Sequence, residues 1–421
     1  MRWVHEPARE TPVVEAADVV VCGGGPAGVA AAVAAARAGA DTRLLEAHGC
    51  LGGIWTSGLL AWLLDTAGKQ GFMAEILAEM ERRGARRGAA CDVEVMKLFL
   101  EEVCQEAGVR IRYHTRVTAA VRDDANRLTA VITESKSGRE AWTAPVFVDC
   151  TGDGDVGALA GCRFSLGEPE TGRTQPMSLI ALLAGYGRPD QPPFCIPDWH
   201  QRTDWLRREI ERGGHSPSYA RASMFLIHDG LCLMMANHQY GVRGVDAEEV
   251  TRATLEARAE VHRIVAALRS LGGDWAGLRL VATAEQIGVR EGRRLRGRYE
   301  VSTEDLVRGA RFPDAVCEVR FGVDVHALDP TRNKGIDRYE VKAKPYHIPL
   351  RALIAADVDG LMMAGRCISG DFLAHSSYRV TGNAVAMGEA AGVTAALAAG
   401  SGRLPHEVPW CEIEPRLQPR G

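Results

Sequence analysis

Two side chains near the C-terminal end of the chain have the chemistry for proton transfer and anion binding. His375 lies in the stretch DFLAHSSYRV, and an imidazole with an ordinary pKa of about 6.5 can accept or donate a proton near neutral pH. Arg379, in the same stretch, has a guanidinium that can hold a carboxylate or another anion. A structural histidine and a structural ion pair are the alternative interpretations of these two residues.

A glycine-rich turn near the N-terminus has the spacing of a dinucleotide site. Gly23, Gly25 and Gly28 fit the pattern GxGxxG between the apolar run VVVC and the Ala-rich stretch PAGVAAAVAAARAGA. Such glycines permit a sharp turn, let the backbone approach a pyrophosphate, and let the helix pack on the sheet. Glu46 closes the next apolar run, TRLLE, near the spacing of about 20 residues for an acid that binds a ribose hydroxyl. This order predicts a bound nucleotide with an unphosphorylated ribose.

Residues 148 to 157, VDCTGDGDVG, contain a second match to this pattern at Gly152, Gly154 and Gly157. A second nucleotide-binding unit would continue with a helix of about ten residues or more, a strand and a terminal acid. The chain instead continues as ALAGCRFSLGEPETGRTQP, in which glycines and prolines interrupt any helix after about two turns. We therefore assign the second match to the same nucleotide as the first.

A further glycine-rich segment, AHGCLGGIWTSGLLAW, follows Glu46. A pure nicotinamide-dinucleotide domain rarely needs such a segment, so it indicates another close approach of the backbone to a longer cofactor. The glycines concerned are Gly49, Gly52, Gly53 and Gly58.

The order of predicted elements indicates an α/β fold with an insertion. Strand runs alternate with helices up to about residue 165, and Asp124, Ala125 and Asn126 separate two alternating runs as in a hairpin. From residue 166 to about 340 the chain has proline-rich segments and one long helix capped by Asp246. That helix turns one apolar face inward, formed by Val250, Ala257, Val261, Ile264, Val265 and Leu268. We predict domains over 1–165, 166–340 and 341–421, the middle one being a separate cap.

Composition excludes several function classes. The 421 residues are 46% hydrophobic and 25% charged, which is enough for two or three cores and disfavours disorder. The net charge of −4 gives no global attraction to nucleic acid or an anionic membrane. The arginines of VREGRRLRGRYE are interleaved with Glu291 and Glu300, so they do not form a phosphate track. The expected partner is a small molecule.

Cysteine usage and the apolar segments bear on the compartment. Eleven cysteines without CxxC pairs or neighbouring histidines disfavour a disulfide framework and a metal site, and favour the cytoplasm. The N-terminal stretch MRWVHEPARETPVVEAAD has neither a signal-peptide nor a transit-peptide pattern. The late stretch NAVAMGEAAGVTAALAAG is interrupted by Glu389, and we interpret it as too short and too weakly apolar to span a membrane.

Four motifs together resemble the FAD-dependent oxidoreductases with a glutathione-reductase-like flavin domain. They are CGGGPAGVAAAVAAARAGA, LLEAHGCLGG, VDCTGDGDVGALAG and DGLMMAGRCISGDFLAHSSYRVTGNAVAMGEAAGVTAA. The segment GVREGRRLRGRY is similar to one in the bacterial family called simply FAD-dependent oxidoreductase. The resemblance covers most of the chain outside residues 170–280. It implies a Rossmann-like FAD-binding domain, a parallel sheet with a β-meander, and an inserted α+β substrate-binding cap.

The resemblance also implies roles for individual residues. The pyrophosphate would lie against the first turn and the adenosine ribose against Glu46, and the backbone of Val117 would meet adenine. Gly52 and Gly53 would lie beside the flavin-side phosphate, and Gly152 and Asp153 would return to the cofactor. The cofactor-binding residues are then Gly23, Gly25, Pro26, Ala27, Gly28, Glu46, Gly52, Gly53, Val117, Gly152, Asp153, Gly365, Arg366, Gly382, Asn383 and Ala384.

The last motif has a physical reason to contact the flavin ring. The strand LMMAG ends at Gly365, followed by Arg366, and a helix is expected to begin at about Asn383 with free N–H groups. Reduced flavin carries negative charge on its pyrimidine edge, which a helix N-terminus stabilises. We therefore assign that edge to Gly382, Asn383 and Ala384. A small-residue packing helix is the alternative.

These assignments predict an FAD enzyme that oxidises a small organic substrate, such as a hydroxylated ring compound, by hydride transfer to the flavin. His375 would handle the coupled proton, with Arg379 beside it. The electron acceptor is oxygen, a quinone, a partner protein or a second substrate. A flavin monooxygenase or halogenase, an ene-type reductase and a non-catalytic flavin-binding protein are the alternatives. Cys50 and Cys367 leave covalent flavin attachment open, although small buried thiols are the simpler interpretation.

Overall fold

The computed structural model describes residues 2–417. The strands are, in chain order, β1 Val13–Ala16, β2 Val19–Cys22, β3 Thr42–Leu45, β4 Arg86–Arg87, β5 Ala90–Cys91, β6 Arg110–Arg112, β7 Arg116–Arg122, β8 Leu128–Ser135, β9 Gly138–Thr143, β10 Val146–Asp149, β11 Phe164–Ser165, β12 Ala181–Ala184, β13 Ser223–His228, β14 Leu231–Met235, β15 Arg279–Thr283, β16 Arg294–Leu295, β17 Ala315–Val319, β18 Val325–His326, β19 Ile336–Asp337, β20 Tyr346–Pro349 and β21 Leu361–Met363.

The α-helices alternate with these strands in the N-terminal part of the chain and dominate its C-terminal end. They are α1 Pro26–Arg37, α2 Gly71–Arg82, α3 Val93–Glu106, α4 Asp155–Leu159, α5 Trp199–Arg212, α6 Ala247–Ser270, α7 Thr303–Arg308, α8 Phe372–Tyr378, α9 Thr381–Ser401 and α10 Trp410–Leu417.

A five-stranded parallel sheet forms the centre of the fold, in the order β21-β10-β2-β3-β6. The apolar runs VVVC, TRLL and VFVD are buried along their whole length. Continuous rather than alternating burial is expected for a parallel sheet that helices cover on both faces. The predicted α/β class and parallel sheet are confirmed.

The predicted β-meander is also present. Strands β7, β8 and β9 are antiparallel neighbours, and β1 adds to β9 in parallel. The β7–β8 hairpin turns at the predicted place, where Asn126 has a φ of +63°. Asparagine tolerates this left-handed conformation better than most residues, which explains its place in the turn.

Helices α1 and α9 are in backbone contact, which explains their Ala- and Gly-rich composition. A Cβ atom at Gly388 would lie 2.0 Å from the carbonyl oxygen of Ala27, and one at Gly392 would lie 2.1 Å from that of Ala31. Only glycine fits at such distances, so α9 packs on α1 as tightly as two helices can. The sequence alone suggested close packing on the sheet and not this helix pair.

By length and composition, α9 is the one helix among residues 2–417 that could cross a membrane, with a mean hydropathy of 1.2 over its best window. Our expectation that this segment is too short was therefore wrong. In the fold, however, 67% of that window is buried, and a helix that is apolar on all sides also suits the core of a large protein. We interpret α9 as a core helix.

The inserted region has its own antiparallel sheet, in the order β13-β14-β12-β15, covered by α5 and α6. Asp246 caps α6 as predicted, accepting from the N–H groups of Glu248 and Glu249 at 3.1 and 3.0 Å. The predicted apolar face of α6 is buried except at Val250, which is half-buried. This is the α+β cap of the predicted fold class.

The chain rejoins the larger core soon after the cap sheet. Leu295, Val301, Leu306 and Val319 are buried in that larger core. Strand β11 pairs with β16, so residues 164–165 and 294–295 meet. We infer that the cap ends near β16, whereas we predicted a boundary at residue 340; the boundary at 166 stays a prediction.

Candidate active site

The first glycine turn has the geometry of a phosphate cradle. Gly23 has a φ of +98°, and a Cβ there would lie 2.5 Å from the carbonyl oxygen of Cys150. A Cβ at Gly28 would lie 1.7 Å from the Gly23 carbonyl oxygen, whereas one at Gly25 would meet nothing within 4 Å. Gly25 is the N-cap of α1 and supplies no side-chain cap, and Pro26 follows. The N-terminus of α1 therefore faces open space with its positive dipole end, as an anion site requires.

Glu46 ties this turn to the segment that follows β3. Its buried carboxylate accepts from the Gly24 N–H at 2.5 Å and from the His48 N–H at 2.7 Å. Each carboxylate oxygen has a second lone pair that stays available to a hydroxyl. The ribose assignment stays a prediction, and the structure adds a positioning role for Glu46 within the turn.

The second glycine-rich segment lies directly against the first turn. The Gly52 N–H donates to the Gly24 carbonyl oxygen at 2.8 Å. Gly53 has a φ of +50°, and a Cβ there would lie 3.0 Å from the Cα of Gly25. The close approach that these glycines permit is therefore with another glycine backbone.

The later GxGxxG match has a packing explanation. Helix α4 has only five residues, and a Cβ at Gly154 or Gly157 would lie 3.0 or 2.3 Å from the Leu295 side chain. The Gly157 N–H donates to the buried Asp149 carboxylate at 2.9 Å. Burial raises the pKa of Asp149 to about 6. Gly152 differs from the other two, because it faces Arg366 instead of Leu295.

The C-terminal strand end meets both glycine turns. Gly365 follows β21 with a φ of +91°, and a Cβ there would lie 3.3 Å from the Cβ of Ala27. Arg366 pairs with Asp153 at 2.7 Å across Gly152. The predicted cofactor residues thus converge from four parts of the chain, while Val117 lies in β7 of the meander.

The N-terminus of α9 differs from our expectation. The helix begins at Thr381, and the N–H groups of Asn383 and Ala384 both donate to the Val380 carbonyl oxygen at 3.1 Å. The Gly382 N–H donates to the Leu64 carbonyl oxygen at 2.9 Å. These three N–H groups are therefore not free, as we predicted them to be. Within residues 2–417, Thr381 is the residue at this end whose N–H has no acceptor.

Buried polar atoms without partners surround the same end of α9. Within residues 2–417, Thr381 Oγ1, both side-chain polar atoms of Asn383 and Arg366 Nε lack a hydrogen-bond partner. Native proteins pair nearly all such atoms. An unpaired set next to a cradle is the pattern expected where a polar cofactor completes the hydrogen bonding.

His375 lies on α8 with no exposed surface. Within residues 2–417 neither ring nitrogen has a hydrogen-bond partner, and the ring meets Tyr378 edge-on at 5.6 Å between centroids. Burial lowers the pKa of His375 well below its ordinary value, so the ring is neutral at pH 7. In this conformation no substrate atom can contact its nitrogens, and its predicted proton role lacks access.

Arg379 is held by the protein itself. It donates to the carbonyl oxygen of Arg290 at 3.1 Å, to Gln175 Oε1 at 3.2 Å and to the carbonyl oxygen of Asp324 at 2.9 Å. The Asp324 carboxylate lies 3.5 Å away. This agrees with the structural alternative for Arg379, as a positioning residue for Asp324.

Asp324 begins a buried chain of titratable groups that sequence reasoning missed. Asp324 Oδ2 lies 3.4 Å from His326 Nε2, and His326 Nδ1 lies 3.0 Å from His238 Nε2. His238 Nδ1 lies 3.1 Å from the Tyr240 hydroxyl. Burial lowers the pKa of His326 to about 4 and that of His238 well below its ordinary value, so both imidazoles are neutral. We call these four residues the Asp–His–His–Tyr chain.

This chain lies between the cap and the segments predicted to hold the cofactor. Gln175 contacts both sides, because its Oε1 accepts from Arg379 and from the His326 N–H at 3.0 Å. On the cap side, the Gln286 N–H donates to the carbonyl oxygen of Ser57, just after Gly53. The sequence carried one weak signal, the HxY spacing of His238 and Tyr240, and nothing that links them to His326.

Neither of the two cysteines named above stands out. Cys367 is fully buried, and burial raises its pKa well above the ordinary value, so its thiol is not a nucleophile. Cys50 is half-buried, with Sγ 3.3 Å from Ser57 Oγ. Within residues 2–417 no group of three or more His, Cys, Asp or Glu side chains could hold a metal ion.

The sequence profile of a family described as FAD dependent oxidoreductase matches residues 18–417. The chain belongs to this family. The oxidoreductase is therefore an enzyme with FAD as its cofactor, as its sequence motifs predicted. No curated protein matches the chain.

Solved structures show the same fold at low identity. The flavin-dependent brominase Bmp2 has a TM-score of 0.51 and 12% identity, over 95% of this chain and 83% of that chain. A geranylgeranyl bacteriochlorophyll reductase-like protein from Thermoplasma acidophilum has a TM-score of 0.49 and 12% identity, over 92% and 80% of the two chains. Such identities show the fold alone.

The residues of the oxidoreductase fit FAD. The open N-terminus of α1 suits the pyrophosphate, and Glu46 is placed for the ribose. The unpaired polar atoms of Arg366, Thr381 and Asn383 suit the flavin end. For Gly382 to contact the flavin through its N–H, as we predicted, Leu64 would have to release it.

Proposed function

We propose that the oxidoreductase removes hydrogen from a hydroxyl-bearing small molecule that binds between the flavin domain and the cap. Bound FAD supplies the hydride acceptor. The observation that carries this proposal is the Asp–His–His–Tyr chain, which links four groups able to relay a proton and lies beside the residues predicted to hold the cofactor. Removal of a hydride from an alcohol carbon requires that the hydroxyl proton leave as well.

The tautomers of this chain allow it to take up one proton. Tyr240 can donate to His238 Nδ1, His238 Nε2–H to His326 Nδ1, and His326 Nε2–H to Asp324. A substrate hydroxyl donating to the Tyr240 oxygen would then pass its proton inward while each member shifts its own. The added charge comes to rest as a His326 imidazolium beside the Asp324 carboxylate, whose own pKa is held far below its ordinary range by His326 and Arg379.

Tyr240 is the suitable entrance to the chain. It is half-buried, whereas His238 and His326 are buried. Its hydroxyl has two acceptors at 3.1 Å, the carbonyl oxygen of Ser218 and His238 Nδ1, so its proton can turn toward either. We therefore propose Tyr240 in place of His375 as the group that touches the substrate hydroxyl.

The location is proposed on separate grounds. All eleven cysteines of the chain are free thiols, which supports a reducing compartment such as the cytoplasm.

Anaerobic flavin reduction tests the proposal. Bleaching of the bound flavin by hydroxyl compounds without oxygen or added reductant is the expected result, since the substrate itself is the reductant. Tyr240→Phe and His238→Gln should retain FAD but reduce it more slowly, by roughly 100- to 10,000-fold. A flavin that stays oxidised with every hydroxyl compound, and bleaches only with an external reductant, would favour a monooxygenase instead.

A further inference from the structure

Arg290 is a cation without a carboxylate partner inside the candidate active site. The neighbouring arginines each have a carboxylate within 4 Å: Arg293 has Asp155, Arg294 has Glu291, Arg366 has Asp153 and Arg379 has Asp324. No Asp or Glu of residues 2–417 lies that close to Arg290. Burial lowers the pKa of Arg290 to about 10, which still leaves it charged at pH 7.

The hydrogen bonds of Arg290 leave one edge of its guanidinium open. Nη1 donates to the carbonyl oxygen of Pro176 at 2.6 Å and to Ser178 Oγ at 2.9 Å. Nη2 contacts only the thioether sulfur of Met235, at 3.5 Å, which is a weak acceptor. Nε has no acceptor among residues 2–417, and it is not one of the buried polar atoms sealed from solvent. The Nε–Nη2 edge is therefore a pair of parallel donors fixed in place by the bonds of Nη1.

The charges around Arg290 leave one positive charge uncompensated. The ion pairs Arg294–Glu291 and Arg379–Asp324 are each neutral, and the Asp–His–His–Tyr chain adds no charge because both imidazoles are neutral. A half-buried cation without a counterion is costly, and a planar pair of donors matches the two oxygens of a carboxylate.

We propose that the open edge of Arg290 binds a carboxylate of the substrate, so that the oxidoreductase acts on a hydroxy acid. The hydroxyl part of this statement rests on the proposed function, whereas the carboxylate site does not. One uncompensated positive charge selects a single carboxylate over a doubly charged phosphate. Arg379, which we expected to fix a carboxylate, is fully engaged by the protein and positions Asp324.

Carboxylate binding also connects to the proton chain. The positive charge of Arg290 contributes to the low pKa of both His238 and His326, after burial. A bound carboxylate offsets that charge and so raises the proton affinity of the two imidazoles. The chain then accepts a proton most readily when an anionic substrate is in place.

Titration of the FAD-loaded enzyme with carboxylates that cannot be oxidised tests the site independently of turnover. We would titrate benzoate, acetate and inorganic phosphate, with benzamide as the neutral match for benzoate, and follow the flavin absorbance spectrum. Benzoate should perturb the spectrum with saturation and benzamide should not. Arg290→Gln should weaken benzoate binding by roughly 10- to 100-fold, Arg290→Lys should restore it in part, and the exposed Arg296→Gln is the matched control.

Each contrary result overturns the carboxylate site. Equal binding of benzoate and benzamide, tighter binding of phosphate, or no response to either carboxylate by the wild-type enzyme would do so without any variant. Loss of FAD from Arg290→Gln at unchanged folding would place the open edge against the cofactor. If carboxylates bind as expected while no hydroxy acid bleaches the flavin, the site stands and the proposed dehydrogenation fails.

Discussion

Leu295 packs directly on Gly157, the last glycine of the second GxGxxG match. A Cβ at position 157 would lie 2.3 Å from Leu295 Cδ1, and the Leu295 side chain is buried. Gly154 faces the same side chain. Two glycines that fit a nucleotide motif by spacing are thus required by a leucine that enters from β16, on the far side of the cap in sequence.

Gly157→Ala should destabilise the fold by about 1–3 kcal/mol, because the new methyl group overfills a packed position. Adding Leu295→Ala should recover part of that loss, so the double variant should be more stable than the sum of the single effects. Urea unfolding of the four proteins measures this coupling. FAD retention at native conditions should not change, and loss of FAD at unchanged stability would return Gly157 to the phosphate.

Sequence patterns predicted what lies within one strand–turn–helix unit and missed what joins distant units. Gly23, Gly28 and the α/β order follow from local spacing, since each contact is within a few residues or the next strand. The contact of Leu64 with Gly382 and that of His238 with His326 depend on how whole segments dock. No periodicity encodes such docking, and for that reason the proton chain was missed.

Replacement of Glu46 should weaken FAD retention for two reasons. The carboxylate is placed for the ribose and also holds the backbone N–H groups of Gly24 and His48. We expect Glu46→Ala to cost about 1–3 kcal/mol in FAD binding, and Glu46→Gln to cost less because an amide oxygen still accepts one bond. Equilibrium dialysis of FAD measures this. Unchanged affinity in Glu46→Ala would remove the ribose assignment.

His375 should tolerate replacement by an apolar ring. Its two ring nitrogens are buried without partners, so His375→Phe removes an unpaired polar group at similar volume. The free energy of unfolding should stay within about 1 kcal/mol or rise. Flavin reduction should proceed at a wild-type rate, in contrast to Tyr240→Phe. Retained FAD with slow reduction in His375→Phe would instead restore the proton role that the sequence suggested.

Glu389 should make the fold less stable as the pH rises. It lies on α9 where a Cβ at Gly71 would almost touch it, and it accepts from the Phe72 N–H at 3.3 Å. Burial raises its pKa from 4.5 to about 7 in the folded protein, although Phe72 and Arg37 lower it.

The folded state therefore holds this proton more tightly than the unfolded state does. The stabilisation is complete below about pH 4.5 and is lost as the pH rises to about 7, on the order of 1–3 kcal/mol. Glu389→Gln keeps an acceptor for Phe72 and cannot ionise, so its unfolding free energy should exceed that of the wild type at pH 8 and match it at pH 4.5. Urea unfolding at both pH values, with the exposed Glu256→Gln as control, measures the difference. An equal pH dependence in wild type and Glu389→Gln would show that this carboxyl does not carry it.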